Sequence, residues 1–552
     1  MSHPLVVTLD HKSKPRVLFS GDRLVEVDLP PGTRVIYPRP PLEPLRDVDA
    51  AIRYAINHPH NSDPLFAKLK PGMKVFIAVD DLSLPLPPMR RPDIRQRVLT
   101  VVLELLGQYG VDDYQICIAT AFHRRMTADE VRWIVGDKIF DAHWPKRLYN
   151  MDAEKPGALK YVGKTELDEI VELVTEAVES DLIIYVNLNL VPMDGGHKSV
   201  AVGLSGYGSL KAHHNPYVMR KCHSYLDPNA SELNSSIERQ GRVANKLLNV
   251  FTIETTVNNN MYDKPLQFLT KNEDELSGLE ASGLKALKLT LDKLPQPARQ
   301  AIFQKVPSPF GVTGVNAGET EAVHVHTIKK LHDQYLVPIT GQADILVLGV
   351  PYISPYSVNA FTNPLLVQVM AQGYLFNLYR GAPMVKKGGT LIFFHPVTDK
   401  FDNDQHAPYI EFVHRILPET RDALELHKKY EAKFAANPAY IEMFRTGTAY
   451  HPAHPFFMWY FGEAGRQWVG RTIVVGADNE YLPKLMGWET ATNFPEALRM
   501  AADTGPKNPE ITVLHCPPIV MADVTVPEHQ RHLLPADRRY GKGIVAAGEG
   551  NR

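Results

Sequence analysis

Gly195-Gly196-His197-Lys198, with His213-His214 fifteen and sixteen residues past the lysine, gathers an amine, imidazoles and a glycine turn in one short segment. The lysine amine can hold a phosphate or form a covalent tether. Imidazoles bind metals, and paired glycines let backbone approach a ligand because no Cβ stands in the way. The segment follows the apolar run Leu182-Ile183-Ile184-Tyr185-Val186, so it begins where a strand leaves a sheet. This combination points to an anchored cofactor.

Two more apolar runs end in reactive side chains. One delivers Asp80-Asp81-Leu82-Ser83, the other Ala119-Thr120-Ala121-Phe122-His123-Arg124, and the glycine-lysine run itself is preceded by Asn187 and Asn189. Open α/β sheets bind ligands at the carboxyl ends of their strands. Each piece has a plainer reading: an aspartate pair capping a turn, His123 exposed beside Arg124 and Arg125, Lys198 as a solvated charge, adjacent histidines pointing apart. Their placement at successive strand ends favours a site.

The elements that must position them alternate. Residues 74–79, 114–119 and 181–187 form one strand series, and 343–350, 390–394, 471–475 and 511–515 a second. Between them lie amphipathic stretches such as 93–109, with Ile94, Val98, Val101, Leu105 and Leu106 on one face. Thr127 and Glu130 have capping-box spacing. The pattern predicts an α/β protein of two domains with largely parallel sheets and a cleft between them. We expect a cofactor-binding domain over residues 1–260, a helical and irregular linker over 261–342, a second α/β domain over 343–530 and a tail over 531–552. The insertion at 400–462 ends in His451-Pro452-Ala453-His454-Pro455-Phe456-Phe457-Met458-Trp459-Tyr460, which either reaches the cleft or packs between the domains, with packing the expected use of Phe456, Phe457 and Trp459.

With 552 residues and 44% apolar content the chain can bury a large core. Sixty basic against 62 acidic residues, net −2, give no broad footprint for nucleic acid or anionic lipid. Cys117, Cys222 and Cys516 are too few and too dispersed for a disulfide framework, and Cys117 reads as a buried thiol. Residues 1–14 lack a secretory apolar core, and no run is long enough to span a bilayer. The expectation is a cytoplasmic protein.

At these residues the chain resembles the lactate racemase family, whose members use a nickel-pincer nucleotide. The likeness covers residues 55–65, 74–87 and, most specifically, Ile118-Ala119-Thr120-Ala121-Phe122-His123-Arg124-Arg125-Met126-Thr127, similar to the family's Ala-Thr-Gly-Thr-His-Arg-Pro-Met-Thr. It continues through Val315-Asn316-Ala317-Gly318-Glu319 and Lys387-Gly388-Gly389-Thr390. The resemblance implies that Lys198 tethers the cofactor, a nickel-bearing pyridinium-3-thioamide-5-thiocarboxylic acid mononucleotide. It implies nickel ligation by His214, cofactor contacts from Asp81 (ribose) and Ser83 (phosphate), and proton transfer by His123. Substrate contacts fall at Asn359 and Thr362. Expected partners are a small hydroxy acid and the enzymes that build the cofactor, with a homo-oligomer as a further expectation.

The chain departs from the family in three places. Leu84 replaces an arginine, Met193 stands at the second catalytic histidine, and Asn359-Ala360-Phe361-Thr362 lacks a lysine. A thioether moves no proton, so His197 becomes the candidate for the vacant role. The lost cations favour acids larger than lactate. The implied activity is a racemase or epimerase of 2-hydroxy acids by hydride transfer. A zinc hydrolase built on His213, His214, Cys222 or His223, and a binding protein without turnover, remain as alternatives.

Overall fold

Six strands form the first sheet, in the order Val312–Gly318, Val250–Val257, Leu182–Asn189, Lys74–Asp80, Asp113–Ala119, Leu148–Asn150. These relationships come from a computed structural model that describes residues 4–82, 87–353, 356 and 362–534. Every pairing in this sheet is parallel except that of Val312–Gly318 with Val250–Val257. The central strands are apolar on both faces, as a parallel sheet covered by helices requires. The strand ends lie close to those predicted, and the Ile94–Gln108 helix matches its amphipathic stretch.

A nine-stranded second sheet is built on Ala343–Pro351, Val385–Phe394, Arg471–Val475 and Ile511–Leu514, the predicted series. The protein is thus α/β with largely parallel sheets. Three segments pair differently from the sequence division. Arg34–Ile36 runs parallel to Ile511–Leu514, and Arg16–Gly21 joins Ala343–Pro351, so the amino-terminal strands complete the second sheet. Val312–Gly318, placed in the linker by sequence, is the edge of the first sheet. Alternation identifies a strand but not its hydrogen-bonding partner, which is chosen by contacts hundreds of residues away.

Buried ion pairs fix the turns that leave the first sheet. Arg95, 3% exposed, is gripped by Asp93 at 2.9 and 2.7 Å and donates to the backbone carbonyls of Asp80 and Asp81. Arg124 forks onto Glu130 at 2.7 and 2.6 Å. Glu130 also accepts from the Thr127 N–H, closing the predicted capping box. Between these anchors the chain turns sharply, with Ala121 at φ 47° and the His123 N–H on the Thr120 carbonyl.

Among the described residues no helix is long and apolar enough to cross a membrane. The three cysteines are free and buried.

Replacing Glu130 by Ala strands the Arg124 guanidinium and opens the cap. A loss of about 3–5 kcal/mol is expected for breaking a buried pair, measured by chemical denaturation, with Glu130→Gln costing less.

Candidate active site

Asp81 and His123 leave adjacent strands and meet: the His123 Nδ1 lies 2.9 Å from Asp81 Oδ2. Asp81 is 5% exposed and the His123 side chain 23%, so the contact is partly buried. A carboxylate accepts only, so Nδ1 carries the proton and Nε2 keeps its lone pair. This is the arrangement of an oriented general base. The resemblance assigned Asp81 to a cofactor ribose; its Oδ2 also holds His123.

The third strand end builds the amine. Asp194 accepts from the Leu190 and Val191 N–H groups at 3.1 and 3.0 Å, rolling the chain into a turn. Lys198 starts the Lys198–Gly203 helix with Nζ 3.5 Å from Asp194 Oδ1, a loose contact that leaves the amine available. The glycines before it are used by the protein itself. Gly195 has φ +82°, and a Cβ there would come within 2.1 Å of Asn189 Oδ1 and 2.6 Å of Glu254 Oε1. At Gly196 a Cβ would lie 2.8 Å from the His324 ring, and its N–H donates to Glu254 at 2.6 Å. They seat the turn on a buried carboxylate.

His214 completes this cluster. Its ionisation is strongly disfavoured, first by burial and then by the nearby charges of His213, Lys198 and His123. Its Nδ1 is 2.7 Å from the Nδ1 of His213, whose own pKa burial depresses to about 3. Two neutral imidazoles sharing this contact need one donor. When His214 donates, its Nε2 lone pair is free for a metal. Among the described residues no group of three or more His, Cys, Asp and Glu side chains is arranged to hold a metal ion.

His197 turns elsewhere. Its Nε2 lies 2.9 Å from Glu321, which Arg242 also binds, and its side chain packs under Gly241. Among the described contacts none joins it to His123. Met193 packs at the edge of the core. Thr362 is buried just before Asn363, which caps the Pro364–Gln368 helix, and no described contact brings it to the histidines. Ser83, Leu84, Asn359 and Phe361 lie outside the described residues. Cys222 receives the Leu233 N–H and the Ser231 hydroxyl, and burial pushes its thiol up to about 11. These contacts tie the thiol into the fold.

The insertion brings a histidine whose role the sequence left open between the cleft and interdomain packing. The His454–Phe461 helix, with Pro455 in its first turn and Gly462 at its end, is buried on every side. One face, spaced i, i+3, i+7, carries His454, Phe457 and Phe461. Phe457 and Phe461 lie 5.1 and 5.7 Å from the His214 ring, and His454 stands edge-to-face with His123 at 5.6 Å. Just upstream, His451 stacks on Phe122 at 3.6 Å. The His-x-x-Phe-x-x-x-Phe spacing was visible, but an all-apolar helix does not reveal which face meets a site.

Residues 20–225, which include Asp81, His123, Lys198 and His214, match the lactate racemase N-terminal domain. The lactate racemase apoprotein of Thermoanaerobacterium thermosaccharolyticum has a similar fold, with 17% identity over 92% of this chain and 99% of that one, TM-score 0.58. A Thermotoga maritima protein aligns over 88% of this chain and 100% of its own at 13% identity, TM-score 0.47. No curated protein matches the sequence.

If Asp81 sets the His123 tautomer, Asp81→Asn lowers turnover by about 10²-fold or more. Steady-state kinetics check this, with circular dichroism showing the fold retained.

Proposed function

We propose that the protein is a racemase or epimerase of 2-hydroxy acids that works with a nickel-pincer nucleotide carried on Lys198. The observation that carries the reading is the convergence of a loosely held amine, a neutral imidazole and an aspartate-oriented imidazole: Lys198, His214 and His123. The lactate racemase domain over residues 20–225 supports isomerase chemistry of this kind.

The donor set suits the group. An amine can form the tether, and an imidazole is a fitting ligand for nickel, a borderline metal, alongside sulfur donors. When bound, the pincer ring supplies an electron-poor carbon that accepts a hydride and returns it.

The chain's own residues supply the rest. His123 Nε2 removes the substrate hydroxyl proton, which allows the carbon to release its hydrogen with the electron pair. Asp81 stabilises the imidazolium that forms. Phe457 and Phe461 cover His214 and keep water from the reacting centre. Leu84 and the 359–362 segment lack the cations that a small carboxylate would use, which favours larger acids.

Protein made together with the cofactor-building enzymes should show a mass addition on Lys198 and about one nickel per chain. Lys198→Arg should lose the addition. Intact-protein mass spectrometry and elemental analysis check both, and an unmodified wild-type lysine without nickel overturns the proposal.

A further inference from the structure

His454 lies outside the 20–225 domain, on a helix that the second half of the chain folds over the site. It is 2% exposed, and its Nδ1 meets the Tyr409 hydroxyl. Its Nε2 is buried and has no partner among the described residues. Buried polar atoms are nearly always satisfied, and an unmet one costs roughly 1–3 kcal/mol. The His454 ring stands edge-on to His123 and Tyr356, with ring centroids 5.6 and 5.2 Å from its own, so its open nitrogen has room to meet a group bound beside them.

The Tyr409 contact decides what that nitrogen offers. Tyr409 is fully buried, and burial keeps its phenol protonated. If the phenol donates to Nδ1, the imidazole proton sits on Nε2 and a single N–H lacks a partner. If the imidazole donated instead, the phenol hydrogen and the Nε2 lone pair would both go unmet. The first arrangement costs less. Burial and then the neighbouring His123 and His214 hold His454 neutral.

We propose that the His454 Nε2–H donates a hydrogen bond to the substrate oxygen whose proton His123 removes. The inference rests on the isomerase reading above and deepens it. In the forward step the O–H bond breaks and its proton passes to His123 Nε2. The ring, when bound, would take the C–H hydrogen with both electrons, so that C–O becomes C=O. Return of the hydride to the opposite face and of the proton to oxygen restores the alcohol, with no net oxidation. His454 keeps its proton throughout and stabilises the negative charge that grows on oxygen, as a preorganised donor does.

The test uses the full-length, cofactor-loaded protein and three variants: His454→Phe, His454→Gln and Tyr409→Phe. Each is first checked for the Lys198 mass addition and nickel. Turnover is followed by chiral chromatography on a panel of lactate, 2-hydroxybutyrate, mandelate and gluconate. His454→Phe should lower kcat by about 10²–10³-fold, the usual effect of losing one such donor. His454→Gln, which keeps an N–H, should recover at least about tenfold of that loss. Independently of activity, ¹⁵N-histidine NMR of the wild type should show His454 neutral with the proton on Nε2, and Tyr409→Phe should release it toward Nδ1.

Wild-type turnover in His454→Phe overturns the inference and means that a trapped water fills the gap. A glutamine variant no better than phenylalanine overturns it in favour of proton transfer or packing, and an Nδ1–H or charged His454 also overturns it. If the wild type carries neither adduct nor nickel, the isomerase reading fails instead, and the NMR measurement still decides the His454 tautomer.

Discussion

The site exists because two distant parts of the chain are clamped together by ring contacts. Phe122, one residue before His123, stacks on His451 at 3.6 Å and lies 6.0 Å from Phe457. The His451 N–H also bonds the Phe122 carbonyl. This clamp sets the distance between a loop of the first sheet and a helix of the insertion. Aromatic pairs of this kind favour particular geometries, each worth about 0.5–1.5 kcal/mol beyond the area they bury. Loosening it would separate His123 from His454 and uncover His214 together.

Around that clamp, each reactive side chain is held by a group that does not itself react. Asp81 orients His123, Asp194 shapes the turn before Lys198, His213 pairs with His214, and Tyr409 holds His454. Arg95 and Glu130 hold the turns in place from beneath. Buried histidines such as His213 and His454 are kept neutral, which suits them as donors or ligands more than as charge carriers.

Much of the first half was legible because its signals are local. The strand ends carrying Asp81, His123 and Lys198 follow unbroken apolar runs, and the Thr127–Glu130 box announces its helix. The glycines of the Lys198 segment were recognised as special, but the protein groups that also require them were not visible. Only coordinates reveal that Asn189, Glu254 and His324 crowd them. His197 was favoured for nearness to Lys198 in sequence, yet successive residues point apart, and its ring reaches Glu321 instead.

The sequence by itself determined an α/β chain with an amine and imidazoles at the ends of parallel strands, since apolar periodicity and residue type are properties of neighbouring positions. The tertiary structure decided which sheet received the amino-terminal strands, and that the Val312–Gly318 strand closes the edge of the first. It also decided that a helix over 250 residues beyond Lys198 brings His454 to His123. Those outcomes depend on which surfaces meet when the whole chain folds, and pairing between remote surfaces leaves no periodic trace along the sequence.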